Sequence, residues 1–197
     1  HINKGEYDWV LAEITQAEDW ARRTTVSADP SLDPLRRELV ATYDDFSVQG
    51  IEDLVSNAYM QRLAADAEAD PTLVRRFMAD DLYRREADRI TRNKYLFNRL
   101  YTNEVVLVGG KRVDERYQLA VRVSVSFQHA EPQGDRLFPI DNYMRRQEHI
   151  VLIERSVGSA KSKGDNFMHS CPACGAPVRN SADPLCPHCG SAYNSPD

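Results

Sequence analysis

Tyr117-Gln118-Leu119-Ala120-Val121-Arg122-Val123-Ser124-Val125-Ser126-Phe127 is the stretch that decides the fold. Its odd positions are all apolar, and between them stand Gln118, Ala120, Arg122, Ser124 and Ser126. A period of two over this length is a long strand with one buried face. A second long strand is expected from about Asn142 to Val157, apolar through Ile150-Val151-Leu152-Ile153. A shorter one covers Glu104 to Val108, after which Gly109-Gly110 begins a turn. His129 to Pro139 is rich in Pro, Gly and charge and reads as a loop.

Ahead of these strands the period is helical. Tyr7 to Arg23 carries Val10, Ile14, Ala17 and Ala21 at helical spacing, flanked by Trp9 and Trp20. Asp33-Pro34 starts a short helix that ends near Tyr43. Ser47 caps the next one, whose apolar face is Ile51, Leu54, Val55, Ala58, Tyr59 and Leu63. Asp70-Pro71 restarts the pattern, and Asp80 or Asp81 opens a last turn through Ile90. Helices followed by antiparallel strands make an α+β fold, with N-terminal helices packed on one face of a curved sheet. Such a sheet closed by helices would form a cone with an internal pocket.

All four cysteines lie near the end, in Cys171-Pro172-Ala173-Cys174 and Cys186-Pro187-His188-Cys189. Gly175 and Gly190 follow directly, where a knuckle needs positive φ. Two such knuckles a short loop apart predict a four-thiolate site for structural Zn²⁺, with Cys171, Cys174, Cys186 and Cys189 as ligands. Iron, redox chemistry and disulfides are the competing readings. A redox pair comes singly and opens a helix, and this repeat is a poor disulfide framework. His188 is expected to be a bystander. With four thiolates no coordination position is left for water, so the site is structural.

At 197 residues, one domain plus this small appendage is expected. The parts divide as a helical arm over 1–43, an α+β domain over 44–158, a linker over 159–168 and the ribbon over 169–197. A net charge of −5 argues against a general nucleic-acid binder. No apolar window is long enough to span a bilayer. The chain opens at His1 without a methionine, so it reads as an excised piece, and anything upstream of it, a membrane anchor included, is not visible.

Asp44-Asp45-Phe46-Ser47 before an amphipathic helix resembles the entry to bacterial Tim-forty-four-like domains. So does Asp70-Pro71-Thr72-Leu73-Val74-Arg75-Arg76-Phe77-Met78 before a second helix. The strand ending Glu148-His149-Ile150-Val151-Leu152-Ile153-Glu154-Arg155 is similar to that family's terminal strand. The polar linker into a CPxCG ribbon is what its zinc-ribbon members carry. The resemblance covers roughly residues 44 to 193 and lies in the order of parts. It implies a cone fold like nuclear transport factor two. It also implies a non-enzymatic, membrane-associated adaptor on the cytoplasmic face, linked to protein transport, with protein partners.

Two alternatives compete with this expectation. Cone folds hold small ligands or acid–base pairs, and Glu148, His149 and His129 are the candidates here. Residues 148 and 149 face opposite sides of a strand, so they cannot form one dyad. Nucleic-acid binding by the ribbon is the other alternative, but Arg179, His188 and Tyr193 are its only suitable residues. The arginines from Arg75 to Arg99 are mixed with acids and read as a solvated helical face. The segment with Trp9 and Trp20 is expected to pack on the domain or to support a homodimer.

Overall fold

A computed structural model describes residues 9–23, 32–93, 95–157, 174, 176 and 185–190. The expected linker and most of the ribbon, including Cys171, lie outside these residues. In chain order the elements are β1 (Val10–Gln16), α1 (Ala17–Arg23), α2 (Leu32–Thr42), α3 (Val48–Glu68), a 3-10 helix (Pro71–Phe77) and α4 (Asp80–Thr91). The strands β2 (Leu96–Val113), β3 (Arg116–Gln133), β4 (Arg136–Pro139) and β5 (Arg145–Ser156) follow. The fold is α+β, with an antiparallel five-stranded sheet ordered β1-β5-β3-β2 and β4 paired to the end of β3.

The alternation in 117–127 sets the sheet's two faces. Val121 pairs with Val151, Leu119 with Ile153 and Val123 with His149, so these residues share the helix-covered side. Their apolar members are fully buried and join Leu54, Val55, Tyr59 and Phe77 in one core. The helix starts follow the capping chemistry. Ser47 Oγ accepts from the Gly50 N–H (2.9 Å), and Asp70 Oδ1 accepts from the Thr72 N–H (3.0 Å).

Four expectations are corrected. Val10–Gln16 is a strand paired with β5, not the first turns of a helix. A register shift between Leu11 and Glu13 breaks its period of two, which lets the apolar spacing imitate a helix. Trp9, Leu11, Leu35 and Leu39 belong to the same core as Val121. The short strand at 104–108 is part of an 18-residue strand whose three register shifts hide its alternation.

Gly109-Gly110 lies inside that strand and does not turn. A Cβ on Gly110 would sit 2.7 Å from both Leu119 Cδ2 and Leu35 Cδ2, so this glycine lets α2 close on the sheet. Finally, His129–Pro139 is no loop. β3 continues to Gln133, turns through Gly134 (φ 61) and Asp135, and returns as β4. Its prolines are tolerated because the Ile140 N–H donates to the His129 carbonyl (2.8 Å). Alternation from that pair puts Pro132 and Pro139 at positions where the ladder needs no N–H.

Two substitutions test the backbone argument. Ala69 ends α3 in the left-handed region (φ 52), where a Cβ is unfavourable. Ala69→Gly should therefore raise the unfolding free energy by about 0.5–1 kcal/mol. Gly110→Ala should lower it by about 1–3 kcal/mol through overpacking. Urea denaturation of the two variants checks both signs.

Candidate functional site

The helices and the sheet leave a cleft of 1120 Å³ at the end of the domain formed by α1, the C-terminal parts of α3 and α4, and the start of β5. Residues 59, 62 and 66 project from one face of α3, at spacings of three and four. Residues 86 and 89 do the same on α4. Arg62 Nε donates to Glu86 Oε2 at 2.6 Å. Arg89 Nη2 donates to the same oxygen at 2.8 Å. Arg89 Nη1 lies 2.7 Å from Asp66 Oδ1, an ion pair without an aligned hydrogen bond. Arg62, Asp66 and Glu86 are all buried.

The quartet contains two cations and two anions, and its members titrate unequally. Burial alone would push Glu86 up, but Arg62 and Arg89 hold its carboxyl down at about 2. At Asp66 burial outweighs the charges of Arg89 and Arg62, and its carboxyl is raised above the ordinary value. Burial also lifts the Tyr59 phenol to about 12.

His149 lies beside the quartet on the inner face of β5. Its Nδ1 is 2.6 Å from the Tyr59 hydroxyl, and its Nε2 faces the Gln147 amide at 3.4 Å. Burial, with the Arg62 charge added, lowers its pKa to about 4, so the ring is neutral at neutral pH. Glu148 points to the other side of the strand and pairs with Arg146 (2.8 Å). The two residues form no dyad. His129 lies on the opposite wall, stacked on Tyr95 (centroids 4.9 Å) and beside Phe97 and Phe127. Its neighbour Asp141 accepts the His129 backbone N–H (2.8 Å) and two bonds from Arg145 (2.6 and 2.7 Å). Tyr143 and Met144 make an exposed apolar rim.

Cys174, Cys186 and Cys189 come together, their sulfurs within 4.8 Å of one another, and could hold a metal ion. The Cys174 and Cys186 sulfurs are 3.7 Å apart. Gly190 takes the positive φ (73) expected after the second knuckle, and its N–H donates to the Cys186 carbonyl (2.8 Å). His188 is exposed and outside this group. Arg84 of α4 pairs with Asp81, Arg92 just beyond it with Asp88 (2.8 Å), and Arg75 of the 3-10 helix with Asp80 (3.0 Å). Trp9 is buried in the core and Trp20 is half-buried. No helix among the described residues is long and apolar enough to cross a membrane.

Sequence reasoning missed the quartet. Its signal was present as Arg62 and Asp66, charges three and seven residues beyond Tyr59 on an apolar stripe.

The pH dependence of stability follows from these shifts. His149 loses proton affinity on folding, so its contribution is complete above its unfolded value near 6.5 and disappears as pH falls through about 4. Glu86 contributes above its unfolded value of 4.5 and loses that contribution as pH falls toward 2. Asp66, raised in the fold, opposes both. The urea midpoint should therefore fall between pH 6.5 and 4, and His149→Gln should flatten that segment. Glu86→Gln at pH 7 should cost about 3–5 kcal/mol, because it strands the buried Arg62 guanidinium. No protein-family model, curated protein or solved structure matches this chain.

Proposed function

We propose that this chain is a non-enzymatic adaptor of the Tim-forty-four-like kind, a cone related in fold to nuclear transport factor two. It works at the cytoplasmic face of a membrane, reached through an upstream segment or peripheral contact, and grips protein partners in a transport process. The observation that carries the reading is the cleft. Its buried charges are spent on one another, while its rim presents Tyr143 (56% exposed) and Met144 (39%). A neutral floor with an apolar rim suits capture of a polypeptide surface better than general acid–base work. Nucleic acid is disfavoured, because Arg75, Arg84 and Arg92 are already matched to carboxylates.

The ribbon supplies a second contact surface, held by zinc on Cys174, Cys186, Cys189 and Cys171. Zinc–sulfur bonds of about 2.3 Å in a tetrahedron imply sulfur–sulfur edges of about 3.8 Å. The 3.7 Å separation of Cys174 and Cys186 matches that edge and is far longer than a disulfide. Zinc supplies no reaction here; it fixes the two knuckles against each other.

A second reading is favoured by the aromatic wall of Phe97, Phe127 and His129, which would suit a small planar ligand in the same cleft. The alternatives separate in one experiment. A photo-crosslinking residue replacing Tyr143 in cells should give a discrete protein adduct, and one replacing Arg84 on the outer face of α4 should not. No adduct at Tyr143, together with a small molecule retained by the purified protein in native mass spectrometry, would sink the adaptor reading. For the metal, elemental analysis should find one zinc per chain, and Cys186→Ser should abolish it. Retention of zinc by Cys171→Ser at unchanged affinity would exclude the four-thiolate site.

A further inference from the structure

The β3–β4 ribbon projects beyond the rest of the sheet. β2 follows β3 only to the Leu96–Ala130 pair, and β5 only to the Arg145–Phe127 pair. Residues 131–140 are all exposed, including Leu137 (47%), Phe138 (42%) and Ile140 (47%). Among the described residues, β4 pairs with β3 alone, so its other edge is open. Open edges carrying large apolar side chains are templates for another strand.

The parity of the ladder says which groups that edge offers. His129 and Ile140 are a hydrogen-bonded pair, fixed by the 2.8 Å bond between them. Glu131–Phe138 and Gln133–Arg136 are then bonded pairs as well, and Pro132–Leu137 is not. The N–H and C=O of Leu137 accordingly point away from β3.

We propose that this edge joins two copies of the chain. The two β4 strands lie antiparallel about a two-fold axis at Leu137, and each Leu137 donates its N–H to the other's carbonyl. Such a contact is isologous and closes on itself. The register suits a second copy, because Arg136 of each molecule faces Phe138 of the other, guanidinium against ring. Asp135 faces Pro139, and no like charges stand directly opposite each other. Pro139 has no N–H to extend the ladder, so pairing stops after one reciprocal pair. A lipid surface fits less well. It offers no partner for the Leu137 backbone, and Glu131 and Asp135 outweigh Arg136 against anionic headgroups. The inference is independent of what the cleft holds.

Sedimentation of the intact chain over a range of concentrations should show a reversible dimer. Leu137→Pro removes the edge N–H and Leu137→Asp places a charge on the axis. Each should weaken the dimer by about tenfold or more, with an unchanged urea midpoint at concentrations where the wild-type chain is monomeric, because the ribbon is exposed. In a bonded antiparallel pair the two Cα atoms lie about 5.5 Å apart, within disulfide range. Leu137→Cys should therefore crosslink under mild oxidation, while Val40→Cys, exposed on α2, should not. A chain that stays monomeric at the highest concentration, or a dimer indifferent to both Leu137 substitutions, overturns the proposal. So does a crosslink no faster at 137 than at 40, or a monomer carried by the ribbon onto lipid vesicles.

Discussion

The sheet depends on the unbroken pairing of β3. Over 18 residues it takes partners on both sides, β2 along one edge and β5 then β4 along the other. A buried backbone must place every N–H and C=O, and this strand's neighbours supply those groups for nearly its whole length. Ser124 is fully buried at its centre, where only a small side chain fits between Glu104 and Glu148 on the adjacent strands. Any slip by one residue would turn Val121, Val123 and Val125 away from the helices and bring Arg122 under them.

The helices are tied to this sheet by polar as well as apolar contacts. Glu52 of α3 accepts the Leu107 N–H at 3.0 Å, beside the register shift between Leu107 and Gly109. An amide that the bulge would leave without a strand partner is thus bonded by a helix. At the other end of α3, the Arg62–Glu86–Arg89–Asp66 quartet locks the helix to α4 beneath the cleft. Buried ion networks of this kind add little net stability over an apolar packing. Their effect is on geometry, because only one relative position of α3 and α4 pairs all four charges. The Tyr59–His149 contact extends that geometric restraint to β5.

The fold class was legible because β3 keeps its period of two from Tyr117 to Phe127. Where the chain departs from regular pairing, the sequence misleads. The bulge in β1 made a strand resemble a helix, and three shifts in β2 reduced an 18-residue strand to a visible core of five. Gly109-Gly110 looked like a turn because sequence cannot distinguish a glycine that bends from one that lets Leu35 approach. The caps at Ser47 and Asp70 were readable because they are local chemistry. The cysteine cluster was readable for the same reason. The quartet required knowing that α3 and α4 face each other, which no single periodicity reports.

The place of β1 has a consequence for the order in which this chain acquires structure. β1 is near the start of the sequence, yet its ladder partner is β5, with Val10 opposite Glu154 and Gln16 opposite His149. During synthesis the apolar segment around Trp9 and Leu11 emerges early and waits for almost the whole domain before that edge can close. Its single bridge to Met78, with the Ala79 N–H bonded to the Leu11 carbonyl (2.8 Å), joins it to the end of the 3-10 helix, which is made much sooner. That short link gives the first strand a provisional seat on the helices, so the slow, long-range closure of the sheet starts from a segment already held in place.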